Sequence, residues 1–352
     1  MILCLQDRFL MFESIVTSKP KWRMRLLLLA LALTIFGVFG WLLWITQMPL
    51  RTYEGVLPQL TPEEMELRDR LSAEVSYLSV TIGDRSLPRP HSLQAASDYL
   101  TNNLREQGYT VVELPYSVKG ENVHNLEASL AGTDGTLGQV VVGAHYDSVA
   151  GTVAANDNGT GVAAVLEIAR HLRQMKFRRT IRFVLFVNEE PPYFQTAMMG
   201  SRVYAHQLRQ AGVPVSAMIS LETIGFYSDQ PGSQKYPPIL SLFYPSKGNF
   251  ITFVGNTESR GLVRESIRGF RESTSFPSEG IAAPDDWIGI GWSDQWSFWQ
   301  EGYPGIMVTD TAPFRYPYYH TPRDTVDKVN FNRTARVVEG IGRLVEKLAN
   351  KQ

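Results

Sequence analysis

The chain has 352 residues, of which 44% are hydrophobic and 20% charged, and its formal net charge is −1. That is too apolar for a disordered chain, and no basic excess is present to favour a nucleic-acid partner. The only cysteine is Cys4, so no intrachain disulfide and no thiolate zinc ribbon can form, and any metal must be held by His, Asp and Glu.

The first predicted element is Leu26 to Ile45, LLLLALALTIFGVFGWLLWI, twenty residues without a charge. As a helix it would be ~30 Å long, about the hydrocarbon thickness of a bilayer, with Trp41 and Trp44 suited to the interface. A cleaved signal peptide usually has a shorter apolar run of ~7–15 residues and a small-residue cleavage site. Ile45-Thr46-Gln47-Met48 is a poor site, so an uncleaved signal anchor is expected over 26–46. Arg8, Lys19, Lys21, Arg23 and Arg25 outnumber Asp7 and Glu13 before it. The positive-inside rule then gives a single-pass membrane protein with residues 1–25 cytoplasmic and everything after the span extracytoplasmic.

Residues 47–62, with prolines at 49, 58 and 62, read as a linker to a domain over 63–352. Thr61-Pro62-Glu63-Glu64 is a helix start, and the spacing of Leu67, Leu71, Val75 and Leu78 carries the helix to about Ser79. A second helix is expected over 91–107. Strands then alternate with helices. Strands are expected at 110–114, 125–130, 139–144, 180–187, 216–221, 250–254 and 305–309. Helices are expected at 161–175, 202–211, 261–273 and 332–350. This order implies a three-layer α/β/α domain around a central, mostly parallel mixed sheet. Residues 275–293 lack periodicity and are read as one long loop.

Polar clusters follow the apolar strands. His145-Tyr146-Asp147 comes after QVVVGA. Asp157 lies ten residues beyond Asp147, in an Asn/Gly turn that opens a helix. Asn188-Glu189-Glu190 follows RFVLFV, and Glu222 follows AMISL; His320 comes late, in Tyr318-Tyr319-His320-Thr321-Pro322. In open α/β sheets, sites gather beyond the carboxyl ends of strands. Five carboxylates and two imidazoles in one crevice would repel and desolvate one another unless cations neutralised them. Imidazole with carboxylate suits zinc and, less selectively, manganese or cobalt. Each residue alone also has a bland reading. His145 could be a satisfied core histidine, Asp157 a helix cap, Glu189-Glu190 a solvated strand end. Together and in this order they are read as one site. His91, His124, His171 and His206 have no such context.

The segments HYD, NDNGTG, NEE and YYHTPRDT resemble the co-catalytic zinc exopeptidases of clan MH, metallopeptidase family twenty-eight. That group includes bacterial aminopeptidases and glutamate carboxypeptidase, with transferrin receptor and glutaminyl cyclase as relatives without peptidase activity. The resemblance covers about residues 90–350. It implies two Zn2+ ions (Mn2+ or Co2+ as substitutes) bridged by Asp157, one completed by His145 and Glu222, the other by Glu190 and His320. It implies Glu189 as general base toward a water shared by the two metals, and Asp147 as the acceptor that orients the His145 ring. Tyr319 resembles a position that assists the oxyanion in some members. Glu222 stands where many members have Asp, and Gln295, in Ser293-Asp294-Gln295, stands where His is common.

The expected function is thus a membrane-anchored exopeptidase acting on peptides, an aminopeptidase in the first instance. Two alternatives remain: a carboxypeptidase or dipeptidase using Arg202, Arg315 or Arg323 for a substrate carboxylate, and a non-catalytic, receptor-like binding domain. No pattern in the chain specifies an oligomeric state.

Overall fold

The computed structural model describes residues 21–351. The remainder of the expected cytoplasmic segment, with Cys4, Arg8 and Lys19, lies outside the described residues. The apolar run forms α1 (Lys21–Thr46). Its stretch Met24–Thr46 has a mean hydropathy of 2.5 and is long and apolar enough to cross a membrane. Leu27 is 71% and Phe36 74% exposed, an arrangement that water disfavours and lipid does not. The chain divides into two compact units between Ile45 and Thr46.

In the second unit, residues 47–62 are tied down. Arg271 donates to the Pro49 and Leu50 carbonyls, and Ser278 N donates to Thr52 Oγ1. The next helix, α2 (Pro62–Ser76), starts as its sequence demands. Thr61 and Glu64 form a reciprocal capping box and Pro62 occupies the first turn, which satisfies two amides that helix geometry leaves open. The helix ends three residues earlier than its periodicity predicts and continues as a wider turn over Tyr77–Ile82. The α3 helix (Pro90–Glu106) follows.

The sheet has eight strands: β1 (Val111–Val118), β2 (Glu121–Leu130), β3 (Gln139–His145), β4 (Ile181–Phe186), β5 (Val215–Glu222), β6 (Ile251–Gly255), β7 (Ser278–Ala282) and β8 (Gly305–Thr309). Their order is β1-β2-β4-β3-β5-β8-β6-β7. The centre is parallel, with β3 against β4 and β5, and β5 against β8. The pairs β1–β2, β2–β4 and β6–β8 are antiparallel. The helices α4 (Gly161–Leu172), α5 (Gly200–Gln210), α6 (Arg260–Arg271), α7 (Gln295–Trp299), α8 (Ala312–Arg315) and α9 (Phe331–Asn350) complete the domain. A large apolar cluster packs α2, α3, α4, α6 and α9 on the sheet, and a smaller one under α5 holds Tyr204, Phe186 and Phe298. The central strands carry apolar residues on both faces because both faces are covered.

One expectation is overturned. Residues 275–293 are not a single loop, because Ser278–Ala282 forms the edge strand β7, parallel to β6. The segment SEGIA has a central glycine and no alternation, so it reads as loop. Its strand identity comes from pairing with β6, a tertiary effect.

Candidate active site

His145 is the last residue of β3 and Glu222 the last of β5, while Glu189 and Glu190 follow β4. Parallel neighbours end on the same side, so the register of β4, β3 and β5 delivers these groups to one crevice. The backbone is bent sharply there. Asn188, Thr223 and His320 have φ of 60°, 47° and 55° without being glycine, and such conformations persist only where surroundings over-determine them.

Asp157 enters from the turn before α4. Its two Asn neighbours fix that turn. Asn158 Nδ2 donates to Leu221 O at 2.8 Å, and its Oδ1 accepts from Gly161 N and Thr223 N. Asn156 Oδ1 accepts from Gly225 N, and its Nδ2 donates to Asp310. Asp324 accepts the Asn156 and Asp157 amides, both at 2.9 Å. At Gly161 a Cβ would lie 2.4 Å from Leu221 O, so only glycine lets the helix start this close to β5.

The resulting geometry is specific. Asp157 Oδ1 faces His145 Nε2 at 3.5 Å and its Oδ2 faces His320 Nε2 at 3.1 Å. Glu222 Oε2 lies 3.3 Å from His145 Nε2, and Glu190 Oε2 lies 3.2 Å from His320 Nε2. Glu189 Oε2 is 3.9 Å from His145 Nε2. Ser293 donates to Glu222 Oε2 at 2.7 Å. The sets His145/Asp157/Glu222 and Asp157/Glu190/His320 each bring their ligand atoms within 4.8 Å of one another, as does His145/Glu189/Glu190.

Asp147 meets both the His145 ring and the backbone after β4. Its backbone carbonyl lies 3.3 Å from His145 Nδ1, with carboxylate Oδ1 at 3.6 Å. The carboxylate also accepts the amides of Glu189 and Glu190, each at 3.2 Å.

The electrostatics are those of several buried acids pressed around two imidazoles. Burial pushes Glu189 well above the usual carboxylate range, raises Glu222, and takes Glu190 up to about 8. Against its own burial, His145 is raised by Glu222 and Glu189. Asp157, also against burial, is held low by hydrogen bonding and charge from the two imidazoles. His145 Nε2, Asp157 Oδ2 and Glu190 Oε1 are buried with no hydrogen-bond partner among the described residues. Orphaned buried donor atoms of this kind, converging from imidazole and carboxylate, fit a divalent cation.

Arg85 carries no local signal in the sequence. It is fully buried and donates to the carbonyls of Tyr146, Leu78, Gly83, Val153 and Ala154 at 2.9–3.0 Å. It therefore joins the wide turn after α2 to the loops that carry Asp147 and Asp157. Burial lowers it to about 10, which leaves it charged at neutral pH. Arg85→Met should cost about 3–5 kcal/mol in urea unfolding, because five carbonyls, three of them buried, lose their donor. A cost below about 1 kcal/mol would contradict its role as the clamp.

Gln295 is buried in α7 and donates to Ile290 O at 3.0 Å, a loop-tying role. Trp299 donates to Gly305 O, and Trp292 stacks on Phe314 beside the crevice. His171 and His206 pair with Glu346 and Glu301.

The chain is 36% identical over 282 residues to the uncharacterized protein YfbL of Escherichia coli K12, covering 78% of this chain and 86% of that one. It is 27% identical over 199 residues to aminopeptidase YwaD of Bacillus subtilis, covering 55% of this chain but only 37% of the longer relative. Its fold matches the structure of BSAP, a zinc aminopeptidase from Bacillus subtilis, with a TM-score of 0.65 at 13% identity, covering 81% of this chain and 95% of that one. Residues 125–345, which hold all seven proposed site residues, six between the ends of β3 and β5 and His320 later, match Peptidase family M28. The chain therefore belongs to Peptidase family M28 and is a hydrolase of the metallopeptidase class.

Proposed function

We propose that the chain is a membrane-anchored, two-zinc aminopeptidase that releases N-terminal residues from peptides. The observation that carries this reading is Asp157, whose two oxygens face two different imidazoles. Asp157, His145 and Glu222 would hold one ion, and Asp157, Glu190 and His320 the other. Two Zn2+ ions held there would supply Lewis acidity, making a water acidic near neutral pH and drawing charge from the scissile carbonyl.

The chain's own groups do the rest. Glu189 accepts a proton as the water oxygen adds to the carbonyl carbon, and returns it to the amine nitrogen as the C–N bond breaks. Asp147 fixes where Glu189 stands by holding the 189 and 190 amides. Tyr319 lies face to face with His320 at 3.8 Å, and burial keeps its phenol protonated, so it can donate to oxygen on which charge develops. The acidic crevice suits the free amine of a peptide better than a carboxylate. The arginines available for a carboxypeptidase are engaged: Arg202 with Glu301, Arg315 with Gln234 and the Phe250 carbonyl, and Arg323 over the Tyr318 ring.

The apolar helix α1 supports an anchor, and the excess of basic residues before it assigns the peptidase unit from Thr46 onward to the extracytoplasmic side. The test uses membranes from cells expressing the full chain. After an alkaline wash the protein should stay with the lipid and hydrolyse free-amine peptides added outside, but not N-acetylated ones. Release by the wash, activity only after the membranes are opened, or cleavage of the blocked peptides would each remove the corresponding part of the reading.

A further inference from the structure

A single row of side chains crosses four strands beside the crevice. Glu222 is opposite Thr309 on β8, Thr309 opposite Thr252 on β6, and Thr252 opposite Glu279 on β7. Directly paired residues point to the same face, and all four line one pocket of about 780 Å³, counting its open mouth. Three strand spacings separate the row's ends, so a second carboxylate sits ~14 Å from the proposed metal ligand along the sheet. The walls between them are apolar and aromatic. Tyr236 stacks on Tyr244 and Trp292 on Phe314, with Leu240 and Ile288 alongside.

Two polar groups in this apolar space make no hydrogen bond among the described residues. Thr252 Oγ1 is buried and makes no hydrogen bond among the described residues. The Glu279 side chain is 17% exposed, and its cation, Arg271, comes no closer than 3.9 Å. That distance is too long for a hydrogen bond. Arg271 is held back because it donates to Ser278 Oγ, Ser278 O, Pro49 O and Leu50 O. Burial pushes Glu279 up to about 7, Arg271 opposes this, and Glu54 adds further negative charge.

We propose that this pocket selects a long cationic side chain, of the lysine or arginine class, for the residue that is removed, with Glu279 receiving its charge. The proposal rests on the aminopeptidase reading for what enters the pocket. An apolar stem lies along aromatic faces while its cationic tip gains both ring quadrupoles and a carboxylate. A leucine or phenylalanine side chain would cover Glu279 and Thr252 with hydrocarbon and leave both unpaired, which is unfavourable. A short side chain would not reach the end of the row.

The test measures kcat/KM of the zinc-loaded full chain in detergent on lysyl, arginyl, leucyl and norleucyl anilides. Norleucine has the lysine stem without its ammonium. Binding of lysinamide and norleucinamide is measured in parallel by calorimetry. Lysyl should exceed norleucyl by at least about tenfold, as a charge-assisted hydrogen bond warrants. Glu279→Gln should bring that ratio toward one. Equal rates for the two, or a ratio unchanged in Glu279→Gln, overturn the pocket assignment and leave the aminopeptidase reading standing. If no anilide is cleaved but lysinamide binds the tighter, and Glu279→Gln abolishes the difference, the pocket stands and the aminopeptidase reading falls.

Discussion

Asp157→Ala is expected to abolish binding of both metal equivalents and to lower peptide hydrolysis at least about 10⁴-fold. The reason is positional. Each proposed ion has one histidine and one glutamate of its own, and Asp157 is the only carboxylate in both sets. Removing it takes a ligand from both places and also removes the charge between them. The fold should survive. The turn that presents Asp157 is held by the side chains of Asn156 and Asn158 and by the Asp324 carboxylate on backbone amides, none of which needs the Asp157 side chain. The discriminating measurement is thermal unfolding with and without zinc. The native chain should gain Tm on zinc addition by mass action, and Asp157→Ala should not. Asp157→Asn, which keeps the shape and one oxygen, should retain at most one equivalent. Two equivalents in Asp157→Ala, counted by elemental analysis, would end the bridging assignment.

The residues of this crevice were legible in the sequence for a physical reason. His145, Glu189, Glu190 and Glu222 sit where buried apolar runs stop, and a parallel sheet brings such ends together whatever the loops do. The supporting groups were not legible, because each acts across the chain on backbone atoms. Asp324 serves amides at 156 and 157, and Arg85 serves carbonyls from 78 to 154. No local spacing announces such bonds. The same holds for the pocket row. Thr252 and Glu279 meet Glu222 only because β6 runs antiparallel to β8 and because SEGIA becomes a strand beside β6. The loop after β3 shows the limit in the other direction. HYD sets His145 and Asp147 two residues apart, yet which oxygen of Asp147 lies by the ring and which meet the amides follows from how the chain turns after β4, where Asn188 has φ near 60°, a tertiary outcome.

Glu189→Gln separates catalysis from metal binding. The substitution keeps the shape of the side chain and the backbone amides that Asp147 grips, and it removes only the ability to take up a proton. Two metal equivalents should remain, with KM nearly unchanged. The turnover number should fall about 10²–10⁴-fold, the usual worth of a positioned general base, which corresponds to about 3–5.5 kcal/mol of barrier. The prediction is exposed because the geometry offers a rival. Glu189 also forms a close set with His145 and Glu190, and a carboxylate 3.9 Å from a ligand imidazole is near enough to bind an ion itself. If Glu189 were a ligand, the Gln chain would lose one equivalent and its zinc-dependent gain in Tm would shrink. If it is the base, metal content and the Tm gain stay as in the native chain while hydrolysis stops. Position favours the base. Asp157, Glu190 and His320 already account for one set and Asp157, His145 and Glu222 for the other, which leaves the Glu189 carboxylate free to receive a proton.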